Sequence, residues 1–206
     1  MARKTKEAAQ ETRHAILDAA ERVFQENGVS RTSMAEIASS AGVTRGAVYW
    51  HFKNKADLFN AMIQRIFAPL EATLEISIAQ ELGNPLVALR DFAVYFLGRV
   101  VADTRYRRVL EIFWHKCEYV GEMAALRDTY LECGSRYLSI NEEGIRLAQK
   151  RGFLSPSLDP RMAAVGLMAI LDGLVVNWTR DSRLFPLADV GSRIVDTYFS
   201  GLCTTR

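Results

Sequence analysis

Ser33-Met34-Ala35-Glu36-Ile37-Ala38-Ser39-Ser40-Ala41-Gly42-Val43-Thr44-Arg45-Gly46-Ala47-Val48-Tyr49-Trp50-His51-Phe52 is the most informative stretch of this chain. Ser33 followed three residues later by Glu36 is a capping box: the hydroxyl accepts from one exposed amide and the carboxylate reaches back to another. The helix it opens is short and ends near Ala41. Gly42 supplies the permissive backbone of a tight turn. A further short helix then runs from Thr44 to about Phe52. Ala38 is small enough for two helices to cross, and Ile37, Ala41, Val43 and Val48 set the crossing angle. Two short helices joined in this way form a helix-turn-helix, whose second helix lies in a DNA major groove with its N-terminus leading.

Working outward, Ile16, Ala20, Val23 and Phe24 recur at helical spacing and predict a first helix from about Gln10 to Asn27, closed by Gly28. On the other side Asn54 caps a long helix over 55–80. Further helices are expected at 86–102, 104–114, 118–150, 160–180 and 187–203. Pro85, Pro156, Pro160 and Pro186 fall where helices start or stop. Strand-like alternation is weak throughout. The fold class is therefore all-α, with an N-terminal three-helix helix-turn-helix domain at 1–55 and a larger C-terminal helical domain at 56–206 for ligand binding and dimerisation.

The reading helix assigns candidate DNA contacts. Arg45 is suited to a bidentate bond with guanine O6 and N7. Gly46 and Ala47 keep the helix end slim. Tyr49 and His51 can hydrogen-bond phosphate, and Trp50 can either pack or touch DNA. Thr44, Ser33 and Thr32 stand at helix starts, where free amides favour an anion, and Lys55 stands at the start of the next helix. Arg3, Lys4 and Lys6 can trail along the backbone or a minor groove. Residues 1–55 hold nine Lys/Arg against six Asp/Glu in a chain whose net charge is only +2, so the positive excess lies in this part.

Composition bounds the rest. With 49% hydrophobic and 24% charged residues the chain can bury a real core. Three widely spaced cysteines without a CxxC pair suit a reduced, cytoplasmic protein. The polar N-terminus does not read as a secretory signal, and the apolar stretch Ala163 to Val176, broken by Asp172, reads as too short for a membrane span. His115-Lys116-Cys117-Glu118 is not an established metal-ligand spacing. No P-loop, dinucleotide fingerprint or nucleophile elbow occurs, so no enzyme, cofactor or metal is expected.

Thr32 to Ala38 and Ala41 to Lys55 resemble the N-terminal signature of the TetR family almost throughout. The resemblance implies a helical homodimer that represses transcription from a palindromic operator on double-stranded DNA and releases it when a small effector binds. Met1 to Lys6, Gln10 to Arg13, and Glu111-Ile112-Phe113-Trp114-His115-Lys116-Cys117-Glu118-Tyr119 resemble the AcrR-like branch. That branch implies control of a multidrug efflux operon and a hydrophobic or cationic effector. The alternatives are a regulator of a metabolic operon sensing an acyl or aromatic metabolite, an activator or global regulator, and a helical small-molecule carrier with a vestigial DNA head.

In the C-terminal region Phe67, Phe92, Phe96, Phe113, Trp114, Met168 and Asp172 are the candidate ligand-binding residues. Asp172 stands out because an unpaired buried carboxylate is costly. The penultimate helix is apolar nearly all round, so it must be covered on both sides. Val165, Ala169 and Val176 on it, with Val190, Ile194 and Tyr198 on the last helix, form the expected dimer interface, a four-helix bundle with the symmetry mate.

Overall fold

The computed structural model describes residues 2–119, 121–124 and 126–204. Among them the secondary structure is helical, in nine α-helices: α1 (Ala2–Asn27), α2 (Met34–Ser40), α3 (Arg45–His51), α4 (Lys55–Gln80), α5 (Pro85–Ala102), α6 (Thr104–His115), α7 (Leu126–Lys150), α8 (Pro160–Arg180) and α9 (Leu187–Thr204). The chain makes two compact units, one from Met1–Ile66 with Arg108–Tyr130 and the other from Phe67–Arg107 with Leu131–Arg206. It passes from one unit to the other inside α4, α6 and α7.

In the first unit α1 buries Ile16, Leu17, Ala20 and Phe24 along one face, at the spacing a helix needs to press one stripe into a core. The Phe24 ring meets Phe59 of α4 at 6.1 Å between centroids. Ile37 and Ala38 of α2, Val48 of α3 and Leu58 and Met62 of α4 complete that core. Arg65 of α4 ties α1 from the side, pairing with Asp18 at 2.9 Å and with the buried Glu21.

The end of α1 is held by a distant piece of chain. The Lys116 ammonium donates to the Gln25 carbonyl at 2.6 Å, in the last turn of α1, where a cation suits both the free carbonyls and the helix dipole. The Lys116 carbonyl accepts from the Val29 amide at 2.9 Å. Gln25 in turn donates to Glu111 of α6 at 2.6 Å. Segment 108–130 is thus part of the first unit through specific bonds.

In the second unit Ala164, Leu167, Leu171 and Val175 are the buried face of α8, and Leu187, Val195 and Phe199 that of α9. α9 packs on both α5 and α8. A methyl group on Gly191 would stand 2.6 Å from Leu97 Cδ1, so α5 and α9 cross with almost no gap. Asn84 and Asp159 cap α5 and α8, accepting from the Leu86 amide and from those of Arg161 and Met162, and a proline opens each helix. Proline costs nothing there, because the amide it lacks has no helical partner.

Three expectations change. α1 begins at Ala2, well before Gln10: residues such as Lys6, Glu7, Ala8 and Ala9 are good helix formers and carry the helix past its packed stripe. The helix expected over 118–150 begins at Leu126, after a 3-10 turn at Gly121–Met123. Gly121 takes φ +57°, which an α-helix cannot propagate, and the chain before it is tethered through the Lys116 carbonyl. α8 has 21 residues and is by length and composition apolar enough to cross a bilayer. Its inner stripe instead packs in the core of the second unit.

Candidate nucleic-acid interface

The turn between α2 and α3 is made by a Schellman motif. Gly42 sits at φ +68°, its amide donates to Ser39 O at 3.1 Å, and the Val43 amide donates to Ala38 O at 3.0 Å. At the start of α2 the capping box is complete: the Glu36 amide donates to Ser33 Oγ at 3.2 Å and the Ser33 amide to Glu36 Oε2 at 2.6 Å. These bonds to the Ser33 backbone and side chain hold the Glu36 carboxyl below its ordinary range. Thr44 caps α3, its Oγ1 accepting from the Ala47 amide at 3.2 Å. Val48 is fully buried, so α3 is anchored by one side and open on the other.

That open side carries most of the candidate DNA contacts. Ser33, Thr44, Arg45, Gly46, Tyr49 and Trp50 are exposed, and Ala47 and His51 are half-buried. Trp50 is 73% exposed, its ring outside the core and edge-on to His51 at 4.5 Å. The Arg45 guanidinium lies over the Tyr49 ring at 5.6 Å, one helical turn on, which pre-orders a long side chain that would otherwise lose rotamer entropy on binding. Partial burial, and secondarily the nearby Arg13 charge, push the His51 imidazole below its usual value. Its ring nitrogens can meet a phosphate by a hydrogen bond. Arg13 itself lies over the Phe52 ring at 5.1 Å, beside the same surface. Lys6 is exposed, while the side chains of Arg3 and Lys4 fall outside the described residues.

Thr32 and Lys55 are placed differently from expectation. Thr32 is 2% exposed and its hydroxyl donates to Gly28 O at 2.8 Å. Lys55 is 6% exposed, and its ammonium donates to Ser30 O at 3.1 Å and Thr32 O at 2.9 Å. Both side chains hold the α1–α2 loop. The cation at the α4 start is turned inward, onto two loop carbonyls.

The seven candidate ligand residues divide between the units: Phe113 and Trp114 belong to the first, packed edge-to-face at 5.5 Å, and Phe67, Phe92, Phe96, Met168 and Asp172 belong to the second. Burial pushes the Asp172 carboxyl up to about 6. Tyr137 lies within reach of its charge and is itself raised, chiefly by burial. Asn141, 2% exposed, stands one turn further along α7 and donates to the Tyr137 carbonyl at 2.7 Å. Tyr137 and Asn141 are functional candidates that the sequence reading passes over. The signal was present: Leu138, Asn141, Ile145 and Ala148 form the buried stripe of α7, and a polar residue inside such a stripe asks for a reason.

The Asp172 carboxyl makes stability depend on pH in a defined direction. A carboxylic acid whose folded value lies above its unfolded 3.8 binds its proton more tightly when folded, so stability falls as pH rises from about 4 to about 6 and stays reduced above that. Asp172→Asn is expected to remove this loss, raising stability at pH 8 by at most about 3 kcal/mol while changing little at pH 4. Thermal melts of both proteins at the two pH values check it; equal gains at both would refute it.

On the expected dimer face, Val165, Ala169 and Ile194 are exposed and Val176 and Val190 half-buried. Tyr198 differs from expectation. Its hydroxyl donates to the Ala163 carbonyl and its ring covers Gly166, so it joins α9 to α8 within the chain. Cys117 is half-buried, and burial pushes its thiol up to about 11, which keeps it protonated at pH 7. No cluster of three or more His, Cys, Asp or Glu among the described residues could hold a metal ion.

Residues 16–62 match the profile of bacterial regulatory proteins of the tetR family, and residues 84–203 that of the C-terminal region of MAATS-type transcriptional repressors. The chain is 42% identical over 189 residues to the HTH-type transcriptional regulator AcrR of Shigella flexneri, covering 91% of this chain and 87% of that one. The crystal structure of NalD, the secondary repressor of the MexAB-OprM multidrug efflux pump in Pseudomonas aeruginosa, superposes with a TM-score of 0.83 at 35% identity, covering 96% of this chain and 100% of that one. SmeT of Stenotrophomonas maltophilia in complex with triclosan superposes with a TM-score of 0.86 at 31% identity, over 93% and 91% of the two chains.

Proposed function

This chain belongs to the TetR family of bacterial regulatory proteins, and from that premise we propose that it represses a multidrug efflux operon and leaves its operator when a hydrophobic or cationic compound binds. The observation that carries the reading is the open face of α3, where Arg45, Tyr49 and Trp50 stand exposed on a helix anchored by Val48. NalD, whose described role is efflux repression, supports the choice of operon.

Arg45 reads a guanine edge, while Gly46 and Ala47 let the helix approach closely. Tyr49, Trp50 and His51 fix register against the phosphates, with Ser33 and Thr44 at the two helix starts. The outer faces of α8 and α9, with Val165, Ala169, Val176, Val190 and Ile194, pair two copies. The dimer then presents two α3 helices about 34–36 Å apart, one DNA turn. The effector is taken up in the second unit, where Phe67, Phe96 and Met168 supply apolar wall and Asp172 a carboxylate for a cationic group. A compound shifts the dimer from the operator only by preferring another arrangement of the heads. The chain conveys that preference along α4, one of the helices on which it passes between the units. The protein works in the cytoplasm, as a regulator and not as an enzyme.

The test is fluorescence anisotropy with labelled duplex carrying the inverted repeat upstream of the neighbouring pump operon. Binding should saturate at one or more dimers per repeat, weaken steeply with salt, and reverse on adding ethidium or triclosan. Sedimentation of the free protein should give a dimer at micromolar concentration. Tight binding to the repeat that no efflux substrate reverses, or a monomer in sedimentation, would count against this reading.

A further inference from the structure

A cleft of about 400 Å³ opens on the outside of the second unit, between the end of α4 and the first half of α5. Its size falls in the range that holds a small ligand. Ala88 and Phe92 are its buried floor. Tyr95 rises beside Phe92, the ring centroids 6.4 Å apart, and stays 48% exposed. The walls carry Glu81, just past the end of α4, and Asp91 from α5, and no cationic side chain lines the space. Thr73 and Ser77 donate their hydroxyl protons back to Pro69 O and Thr73 O at 2.7 and 2.8 Å, so what they offer the cleft is oxygen lone pairs.

Two guanidiniums border the cleft without lining it, and one of them is paired with its Asp91. Arg90 spans Asp91 and Asp196, bonding each at 2.8 Å. Arg151 donates to the carbonyls of Glu81 and Gly83 at 2.7 and 2.9 Å and so pins the α4–α5 connection. Glu81, Asp91 and Asp196 outnumber these two cations, and the local field stays negative. A preformed concavity with an apolar floor, an aromatic face, acceptor oxygens and net negative charge is matched by one class of ligand. We infer that this cleft binds a compact aromatic organic cation; of the candidate effector residues Phe92 lines it, while Phe67, Phe96, Met168 and Asp172 do not. The cation would lie on Phe92 against the Tyr95 face, where ring and charge attract, with Glu81 and Asp91 supplying the counter-charge.

Tetraphenylarsonium tests this on the full-length chain, because its arsenic can be located by anomalous scattering. A soaked crystal should show arsenic density in the cleft. Calorimetry should give a binding event that triphenylphosphine oxide, the uncharged comparator, does not reproduce. Tyr95→Leu should weaken that event about fivefold, and Asp91→Asn combined with Glu81→Gln about tenfold. All three positions are exposed or half-exposed, so helical circular dichroism should be unchanged. Asp172→Asn should leave the event in place. No arsenic in the cleft overturns the inference. So does density there without any change in solution affinity in the cleft variants, since that would be binding at crystal concentration only. Drug-induced operator release, measured separately, bears on the effector reading and not on this one.

Discussion

Arg45→Ala is expected to remove sequence-specific operator binding while leaving the dimer and the fold intact. Arg45 is exposed at the first turn of α3, makes no ion pair among the described residues, and is pre-ordered over Tyr49. A bidentate arginine–guanine contact discriminates by about 1–3 kcal/mol per half-site, so a dimer that loses two of them loses most of its preference. Binding to random duplex should change far less, because that term comes from phosphates. Tyr49→Ala is expected to act in the same direction by freeing the guanidinium and removing a phosphate contact. Competitive anisotropy, operator against scrambled duplex, measures the ratio; an unchanged ratio in Arg45→Ala would remove α3 as the reading helix.

Lys55→Met should have a different signature. The ammonium is buried and satisfies the carbonyls of Ser30 and Thr32, which methionine cannot do at similar volume. Leaving the buried Thr32 carbonyl and the half-buried Ser30 carbonyl without this donor costs about 1–3 kcal/mol, and the melting temperature should fall by about 3–10 °C. Operator affinity should also weaken, because the α1–α2 loop precedes the cap of α2. Its dependence on salt should nevertheless stay as in the parent protein, whereas losing a phosphate contact would reduce the slope by about one. A stable variant with a reduced slope would return Lys55 to the DNA surface.

These two residues show what can be read from a sequence like this one. The capping box at Ser33 and Glu36 and the turn at Gly42 are local, made by partners three to five residues apart, and their chemistry is visible without a fold. Arg45 at the head of α3 is legible for the same reason. Lys55 is not, because its partners lie 23 and 25 residues away and only the folded loop brings them to it. The start of α7 is missed because periodicity continues through 118–125, whereas residues 116–119 are not helical and Gly121 takes φ +57°. Tyr137 and Asn141 escape notice because a mostly apolar stripe tolerates one polar residue on inspection, and its link to Asp172 crosses from one helix to another.

The bonds from Lys116 and Glu111 to the end of α1 set a limit on modular engineering. The DNA-reading unit is not a contiguous gene fragment: part of it is encoded after the sensor has begun. A head cut out by truncation anywhere in α4 leaves Gln25 and Val29 without Lys116 and Glu111. Chimeras that graft this head onto another sensor must therefore import 108–130 along with the N-terminal residues. A splice at one point would join the right helices with an unfastened α1.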